Sequence, residues 1–302
     1  MQVVGIGQCC LDYLALIDTY PEVDTKNEVI EWHEQSGGPV ATALITLSRL
    51  GVKCRFHGIT GDDFAADKIK EALINENINV HGLLKREKNV SHIALIVIEK
   101  GSAKRTVFWK RPSGEPLSAK ELGHDFLTEA NFLILDGLMK DASLYAAQRA
   151  RELNIPVMLD AGRARPGMLE VSMLSDYVVA SQDFAKDMGW ELTQNGLNEQ
   201  RKKLGCKVLA ITFGEKGSLN VSGDEFFQIP AFYVDAIDTT GAGDVFHGGY
   251  IYGLLKAWSL RDTVVFASAL AAMKCRKIGA QTGIPSFIEA SDFLIERGYS
   301  FL

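Results

Sequence analysis

From residue 131 onward, short apolar runs alternate with longer amphipathic stretches, and this alternation constrains the fold more than any other property of the chain. Runs 132–135, 157–159, 177–180 and 208–212 are short and rich in β-branched and leucine residues. Strands this apolar are buried on both faces, which is the situation in a parallel sheet covered by helices. Segments 141–153 and 184–188 supply helices between them, and 242–257 is the main helix of the C-terminal part. A further helix begins at Ser259 and Asp262 and is expected to reach about residue 277. Weaker strands are predicted at 226–229 and 234–236.

The N-terminal part follows the same rule with one interruption. Residues 3–7 and 52–58 read as strands. Ser36-Gly37-Gly38-Pro39 opens a helix with apolar positions at Ala43, Leu44, Leu47 and Leu50, and Gly51 stops it. Asp62-Asp63 starts another, with Phe64, Ile69, Leu73 and Ile74 among its apolar positions. Segments 27–34, 92–99 and 106–109 are β-rich, and Glu99-Lys100-Gly101-Ser102 joins the last two in a hairpin. Pairing of the hairpin with 27–34 predicts a small sheet apart from the core, placed as a lid over a site. The expectation is an α/β chain with a mostly parallel central sheet. Residues 1–302 form a single domain, with lid segments at approximately 11–34 and 92–111.

Composition removes several function classes. With 302 residues and 47% hydrophobic content, the chain can bury a large core. Its formal net charge is −6 and no segment is dominated by Lys and Arg, so nucleic acid is not an expected partner. The run Arg201-Lys202-Lys203 reads as a solvated helix face. The five cysteines form no C-x-x-C pair and the histidines are scattered, which argues against a disulfide framework or zinc and for a reducing cytoplasm. No basic stretch precedes an apolar one at the N-terminus, and no apolar run approaches the ~20 residues that span a bilayer. Neither secretion nor membrane insertion is expected.

The chemistry concentrates at Asp238-Thr239-Thr240-Gly241-Ala242-Gly243-Asp244-Val245-Phe246. Small residues let a ligand approach the backbone. A helix starting at the glycines directs free N–H groups and a positive dipole end at one point. Asp244 places a carboxylate in that first turn. An anion cradle with a base beside it suits phosphoryl transfer to a hydroxyl. Open α/β sheets bind ligands beyond the carboxyl ends of their strands. Asp12, Gly37-Gly38, Asp136, Asp160 and Gly214 all fall at such ends, although each taken alone also suits a cap or a turn. Gly5-x-Gly7 lacks the third glycine of a dinucleotide fingerprint, because Cys10 occupies that position. Gly214-Glu215-Lys216-Gly217-Ser218 lacks Walker A spacing, and His247 reads as a helix-packing residue.

Together these residues resemble the ribokinase-like, or pfkB, carbohydrate kinase family, with stations from residue 5 to residue 283. Asp238–Asp244 is similar to the family's C-terminal signature. Gly37-Gly38 and Gly58-Ile59-Thr60-Gly61-Asp62-Asp63 are similar to its N-terminal signature. Thr212-Phe213-Gly214-Glu215-Lys216-Gly217 resembles its nucleotide loop, and 277–283 the segment that closes over adenine and a monovalent cation. The resemblance implies a three-layer ribokinase-like fold. It implies Asp244 as base and the N–H groups of Gly241, Ala242 and Gly243 as the phosphoryl cradle. Asp12, Gly37 and Gly38 would hold acceptor hydroxyls, and Thr42 stands where ribokinase has the Asn that grips ribose. Ser181, Thr212, Gly214, Gly217 and Gly243 would line the nucleotide site. Asp238 and Thr240, with the carbonyls of Lys277 and Gly279, would hold potassium, and Mg²⁺ would arrive with ATP. The lid in many relatives also makes a dimer contact. Ser181-Gln182-Asp183-Phe184 replaces the family's Asn-Glu-x-Glu segment, and the Ser-x-Asp form looks like that of ketohexokinase. Asp160-Ala161-Gly162-Arg163 resembles a stretch of fructokinase and ketodeoxygluconate kinase, so Arg163 or Arg165 faces either a nucleotide phosphate, an acidic substrate or solvent.

The implied activity is ATP-dependent phosphorylation of a primary hydroxyl of a sugar or sugar derivative. A nucleoside kinase shares all of this chemistry, and Trp32, Phe108 and Trp109 offer it base contacts. A non-catalytic sugar or nucleotide sensor is a further alternative, and a redox enzyme using Gly5-x-Gly7 another.

Overall fold

Side chains of a strand alternate between two faces, and in the computed structural model, which describes residues 1–300, both faces of the central strands are dry. In chain order the elements begin with β1 (Gln2–Ile6), β2 (Cys10–Ile17), β3 (Glu31–Gly37), α1 (Pro39–Arg49), β4 (Lys53–Thr60), α2 (Phe64–Asn75) and β5 (Ile78–Lys85). There follow β6 (Ile93–Glu99), β7 (Arg105–Lys110), β8 (Phe132–Leu135), α3 (Lys140–Glu152), β9 (Val157–Ala161), α4 (Met168–Ser172), β10 (Tyr177–Ser181), α5 (Gln182–Asp187) and α6 (Gln194–Leu204). The chain continues through β11 (Val208–Thr212), β12 (Ser218–Ser222), β13 (Glu225–Ile229), α7 (Ala242–Leu255), α8 (Leu260–Lys274) and α9 (Phe287–Ile295).

The main sheet has nine strands in the order β13-β12-β11-β10-β9-β8-β1-β4-β5. Only β12 and β13 pair antiparallel. Val3, Phe132, Ile134, Met158, Val179 and Ala210 point to the side covered by α1, α2, α7, α8 and α9. Val4, Leu133, Leu135, Leu159, Val178 and Leu209 point to the side covered by α3, α4, α5 and α6. This is the expected three-layer α/β architecture. The helices start where the chain supplies caps. Asp63 accepts from the Ala66 N–H at 3.1 Å, and Ser259 from Asp262 N–H at 3.1 Å, each contact worth about 1 kcal/mol. Pro39 occupies the first position of α1, where no N–H is needed.

Strand β1 lies between β8 and β4, so the chain winds outward from it in two directions. At this switch point the C-terminal ends of β1 and β8 diverge and leave a crevice. A second sheet, in the order β3-β2-β6-β7, stands apart from the main one.

Three expectations need correction. The 92–109 hairpin pairs with β2, which then pairs with β3, so the hairpin and the 27–34 region are not direct neighbours. Strand β3 covers 31–37, with Ser36 and Gly37 in the strand, and α1 begins after Gly38. Residues 234–236 form no strand; the antiparallel partner there is β12, whose Ser-Leu-Asn-Val-Ser carries too little apolar periodicity to read from sequence. Gly5 and Gly7 lead from β1 to β2 with no helix between, in keeping with the missing third glycine. A Cβ on Gly5 would lie 2.5 Å from Val40 Cγ1, so this glycine admits α1 against β1.

Candidate active site

A cavity of about 800 Å³ opens at the crevice between the two sheets. Asp12 from β2, Gly38 before α1, and Thr240 and Asp244 from the glycine motif all line it, together with Asp136 after β8 and Asp160 in β9. Residues far apart in sequence therefore meet, because strand ends and helix starts of the main sheet converge there and Asp12 faces them from within β2 of the second sheet.

The motif is held in shape before any ligand contacts it. Gly241 caps α7 with φ of 75°, a left-handed conformation that a side chain disfavours, and a Cβ there would lie 2.5 Å from Ala280 Cβ. Val245 N–H bonds back to the Gly241 carbonyl at 2.9 Å, which closes the first turn. The N–H groups ahead of it belong to a helix end and face the dipole's positive side. Asp238 is fully buried. Its Oδ1 accepts from Thr240 N–H at 2.8 Å and Thr240 Oγ1 at 2.6 Å, and its Oδ2 from Gly279 N–H at 2.7 Å. The fully buried Lys274 donates its Nζ to the Asp238 carbonyl at 2.7 Å. Asp238 and Thr240, with the carbonyls of Lys277 and Gly279, were the expected potassium ligands. An alkali cation needs converging oxygens, whereas the atoms gathered around Asp238 are N–H, O–H and ammonium donors. Around Asp238 the donor set does not fit potassium.

The four cavity carboxylates are held away from their usual ionisation. Burial pushes Asp12 up to about 6, although the Cys10 thiol, donating to Asp12 Oδ1 at 2.9 Å, opposes it. Burial pushes Asp136 up to about 7 against the N–H bonds it accepts from Gln8 (2.6 Å) and Leu138 (3.0 Å). Asp244 is raised by burial and then by the charge of Asp160, and burial raises Asp160 in turn. His247 sits between them, with Nδ1 at 2.6 Å from the Gly243 carbonyl and Nε2 at 3.6 Å from Asp160 Oδ1. Its Nε2 also lies 3.4 Å from the Val179 carbonyl, so it joins α7 to β10.

Strand alternation explains which side chains of the second sheet reach the cavity. Arg105, Val107, Trp109 and Arg111 line it, and so do Ala94 and Ile96. Arg105 reaches the glycine motif, where Nη1 donates to Thr239 Oγ1 at 2.6 Å. Trp109 stands edge-on to His92, with centroids 5.8 Å apart. Burial, then Arg111 and Arg165, push His92 down to about 4. Of the three aromatics expected near a base, only Trp109 faces the cavity. Phe108 points to the other face, and Trp32 packs on Tyr13 with centroids 5.9 Å apart.

The remaining expected residues sit beside the cavity. Gly37 lies against Asp12, where a Cβ would be 2.0 Å from Oδ2. Thr42 is buried inside α1, its hydroxyl without a hydrogen-bond partner, and does not border the cavity. Ser181 and Thr212 are register partners on β10 and β11. Ser181 Oγ donates to the Gly162 carbonyl at 2.7 Å, which ties it to a cavity-lining loop. Gly214 has open space around it, but a Cβ on Gly217 would meet the Ile229 carbonyl at 2.0 Å, so Gly217 is required by the turn into β12. Lys277 is exposed and its N–H bonds to the Lys274 carbonyl at 3.3 Å. Arg163 and Arg165 both line the cavity, and Arg163 is also paired with Asp187 at 2.9 Å. Sequence reasoning missed Gln8, His92, Arg105, Arg111 and Lys274. The period-two spacing of Arg105, Val107, Trp109 and Arg111 was the available signal for the strand residues. Among the described residues no helix is long and apolar enough to cross a membrane, and no three His, Cys, Asp or Glu residues cluster as a metal cage.

The profile of the pfkB family carbohydrate kinases matches residues 2–286, and the chain belongs to that family. It is 25% identical to fructokinase-2 of Oryza sativa subsp. japonica, over 97% of this chain and 93% of that protein. It is 26% identical to a nucleoside kinase of Methanocaldococcus jannaschii, over 98% of this chain and 96% of that protein. The fold is shared with a candidate ribokinase II from E. coli, solved in complex with ATP and Mg²⁺. There the TM-score is 0.85 at 19% identity, covering 98% of this chain and 99% of that one.

Proposed function

We propose that the chain transfers the γ-phosphoryl of ATP to a primary hydroxyl of a sugar or sugar derivative. One observation carries this reading. Asp244, in the first turn of α7, borders the same cavity as Asp12, next to the helix-end N–H groups of residues 241–243. Asp12 and the Gly37-Gly38 turn hold acceptor hydroxyls. Asp244 takes the proton of the attacking hydroxyl as the O–P bond forms, and the cradle meets the charge on the transferring phosphoryl. Ser181, Thr212 and Gly214 lie where the rest of the nucleotide would run, and the Gly217 turn holds that loop. Mg²⁺ arriving with ATP would supply neutralisation of phosphate charge, and Asp160 on the cavity wall is the carboxylate that would hold it. The second sheet forms the lid that excludes water.

Release of ADP from Mg²⁺ATP across a panel of sugars, sugar acids, sugar phosphates and nucleosides tests the reading. Acceptor-dependent turnover supports it; ATP binding without turnover on any acceptor makes the chain a sensor. A nucleoside acceptor is the second reading, favoured by Trp109, which is about half exposed on the cavity wall. Trp109→Ala should raise KM for a nucleoside far more than for a simple sugar.

The elevated ionisation of Asp244 gives the activity a sign in pH. The base must be charged, and burial together with Asp160 delays its ionisation. The acid limb of kcat/KM is therefore expected near neutrality rather than in the usual carboxylate range. Asp160→Asn removes the neighbouring charge and should move that limb to lower pH. A limb that stays in place would remove Asp160 from the electrostatics of the base.

The outer face of the second sheet carries Tyr13, Leu95 and Phe108 as cross-strand neighbours, with Trp32 beside Tyr13. Leu95, Phe108 and Trp32 are exposed. A contiguous apolar face of this kind is a pairing surface, and we infer a homodimer formed through it. Sedimentation should give a dimer for the parent chain and a monomer for Phe108→Asp; a monomeric parent overturns the inference.

A further inference from the structure

We propose that the ammonium of Lys274 is a built-in replacement for a monovalent cation, so that this kinase works without potassium. The proposal rests on the kinase reading above for its functional meaning, and on geometry for its substance.

The cradle that meets the phosphoryl is only as well placed as the turn before it. That turn, Asp238 to Gly241, is organised by Asp238, whose carboxylate accepts three hydrogen bonds from Thr240 and Gly279. A buried carboxylate with its loop carbonyl calls for a positive charge nearby. Lys274 supplies it from the last residue of α8. The ammonium is 2.7 Å from the Asp238 carbonyl oxygen and 4.0 Å from Oδ2, and both residues are fully buried.

The position of this side chain is enforced by its surroundings. The main chain of residues 274 and 275 is already committed, with Cys275 carbonyl accepting from Ile237 and Asp238 N–H at 2.8 and 3.1 Å. The Lys274 carbonyl accepts from Lys277 N–H at 3.3 Å, and Gly283 packs so closely on it that a Cβ there would lie 2.3 Å away. The carbonyls of Lys274 and Cys275 are therefore already turned to other partners. A lysine at a helix C-terminus is also favoured by the dipole. Its stem reaches from α8 to the motif, so the ammonium takes the place beside the Asp238 carbonyl that a bound cation would occupy. The charge reaches the chemistry as well, because Lys274 acts on Asp244 in the direction that favours its ionised form. Lys274 is thus a positioning residue: it fixes the Asp238 turn and biases the base without touching substrate.

The test compares KCl with choline chloride at equal ionic strength, reading thermal unfolding, affinity for a non-hydrolysable ATP analogue, and turnover. The parent chain is expected to show less than about a two-fold difference between the salts in nucleotide affinity and turnover, and no potassium-dependent rise in Tm. Lys274→Ala opens the site. In choline chloride it should lose about ten-fold or more in turnover, and KCl should restore much of that loss and raise its Tm. Lys274→Met keeps the stem without the charge and should lose activity with no rescue by KCl. A parent chain whose Tm and nucleotide affinity rise steeply with potassium overturns the proposal, as does a Lys274→Ala variant that is fully active and indifferent to salt. If Lys274→Ala does not fold, the potassium titration of the parent chain still decides. Unfolding and nucleotide affinity need no acceptor, so a failure of the acceptor assignment leaves this test intact.

Discussion

Asp244→Asn is expected to fold, to bind nucleotide, and to lose about 10²–10⁴ in kcat, the usual contribution of a positioned general base. Asparagine keeps the size of the side chain and removes only its capacity to take a proton. The loss should be in kcat with little change in acceptor KM, since the hydroxyls are held by Asp12 and the Gly37-Gly38 turn. The residual rate should also lose the acid limb near neutrality, because the group that produced it is gone. Activity within about ten-fold of the parent chain would falsify the assignment of Asp244 as base.

The glycines on either side of Ala242 should separate folding from chemistry. A Cβ on Gly243 meets nothing within 4 Å, so Gly243→Ala costs little in packing. The new methyl group projects from the N-terminal turn of α7, where the phosphoryl is cradled. Turnover is expected to fall by about 10²–10³, similar to losing one donor of an oxyanion hole, while Tm stays close to that of the parent chain. Gly241→Ala behaves in the opposite way. It places a side chain at φ of 75° and 2.5 Å from Ala280 Cβ, so Tm itself should drop. Calorimetry alongside steady-state kinetics distinguishes the two. Equal loss of Tm in both variants would mean that Gly243 serves packing rather than the cradle.

The core was legible because its strands are buried on both faces. Phe132–Leu135 and Val208–Thr212 coincide with their apolar runs, and the caps at Asp63 and Ser259 mark helix starts. Strands β2, β5 and β12 were not legible. Strand β2 interleaves Asp12 with apolar residues, and a carboxylate there reads as the end of a strand when it lies within one. Strand β5 is mostly half-exposed and β12 is polar, so neither leaves a hydrophobic trace. Asp244, Asp12 and Thr240 could be placed at one site because glycine motifs and strand ends are local signals. Lys274 could not, since a lysine ending a helix is ordinary and its burial against Asp238 is a property of the tertiary fold alone. Arg105 was hidden for a similar reason: its reach to Thr239 spans 134 positions of sequence.

On the proposed reading, the acceptor's ligands and the phosphoryl's ligands come from different parts of the fold. Asp12 is part of β2 and Arg105 of β7, both in the small sheet, whereas Asp244 and its cradle rise from the main core. On that reading the active site is thus shared between two sheets, one of which carries the acceptor's ligands. The Arg105–Thr239 hydrogen bond joins them, so an acceptor that bridges Asp12 and the core would reinforce a contact the protein already makes.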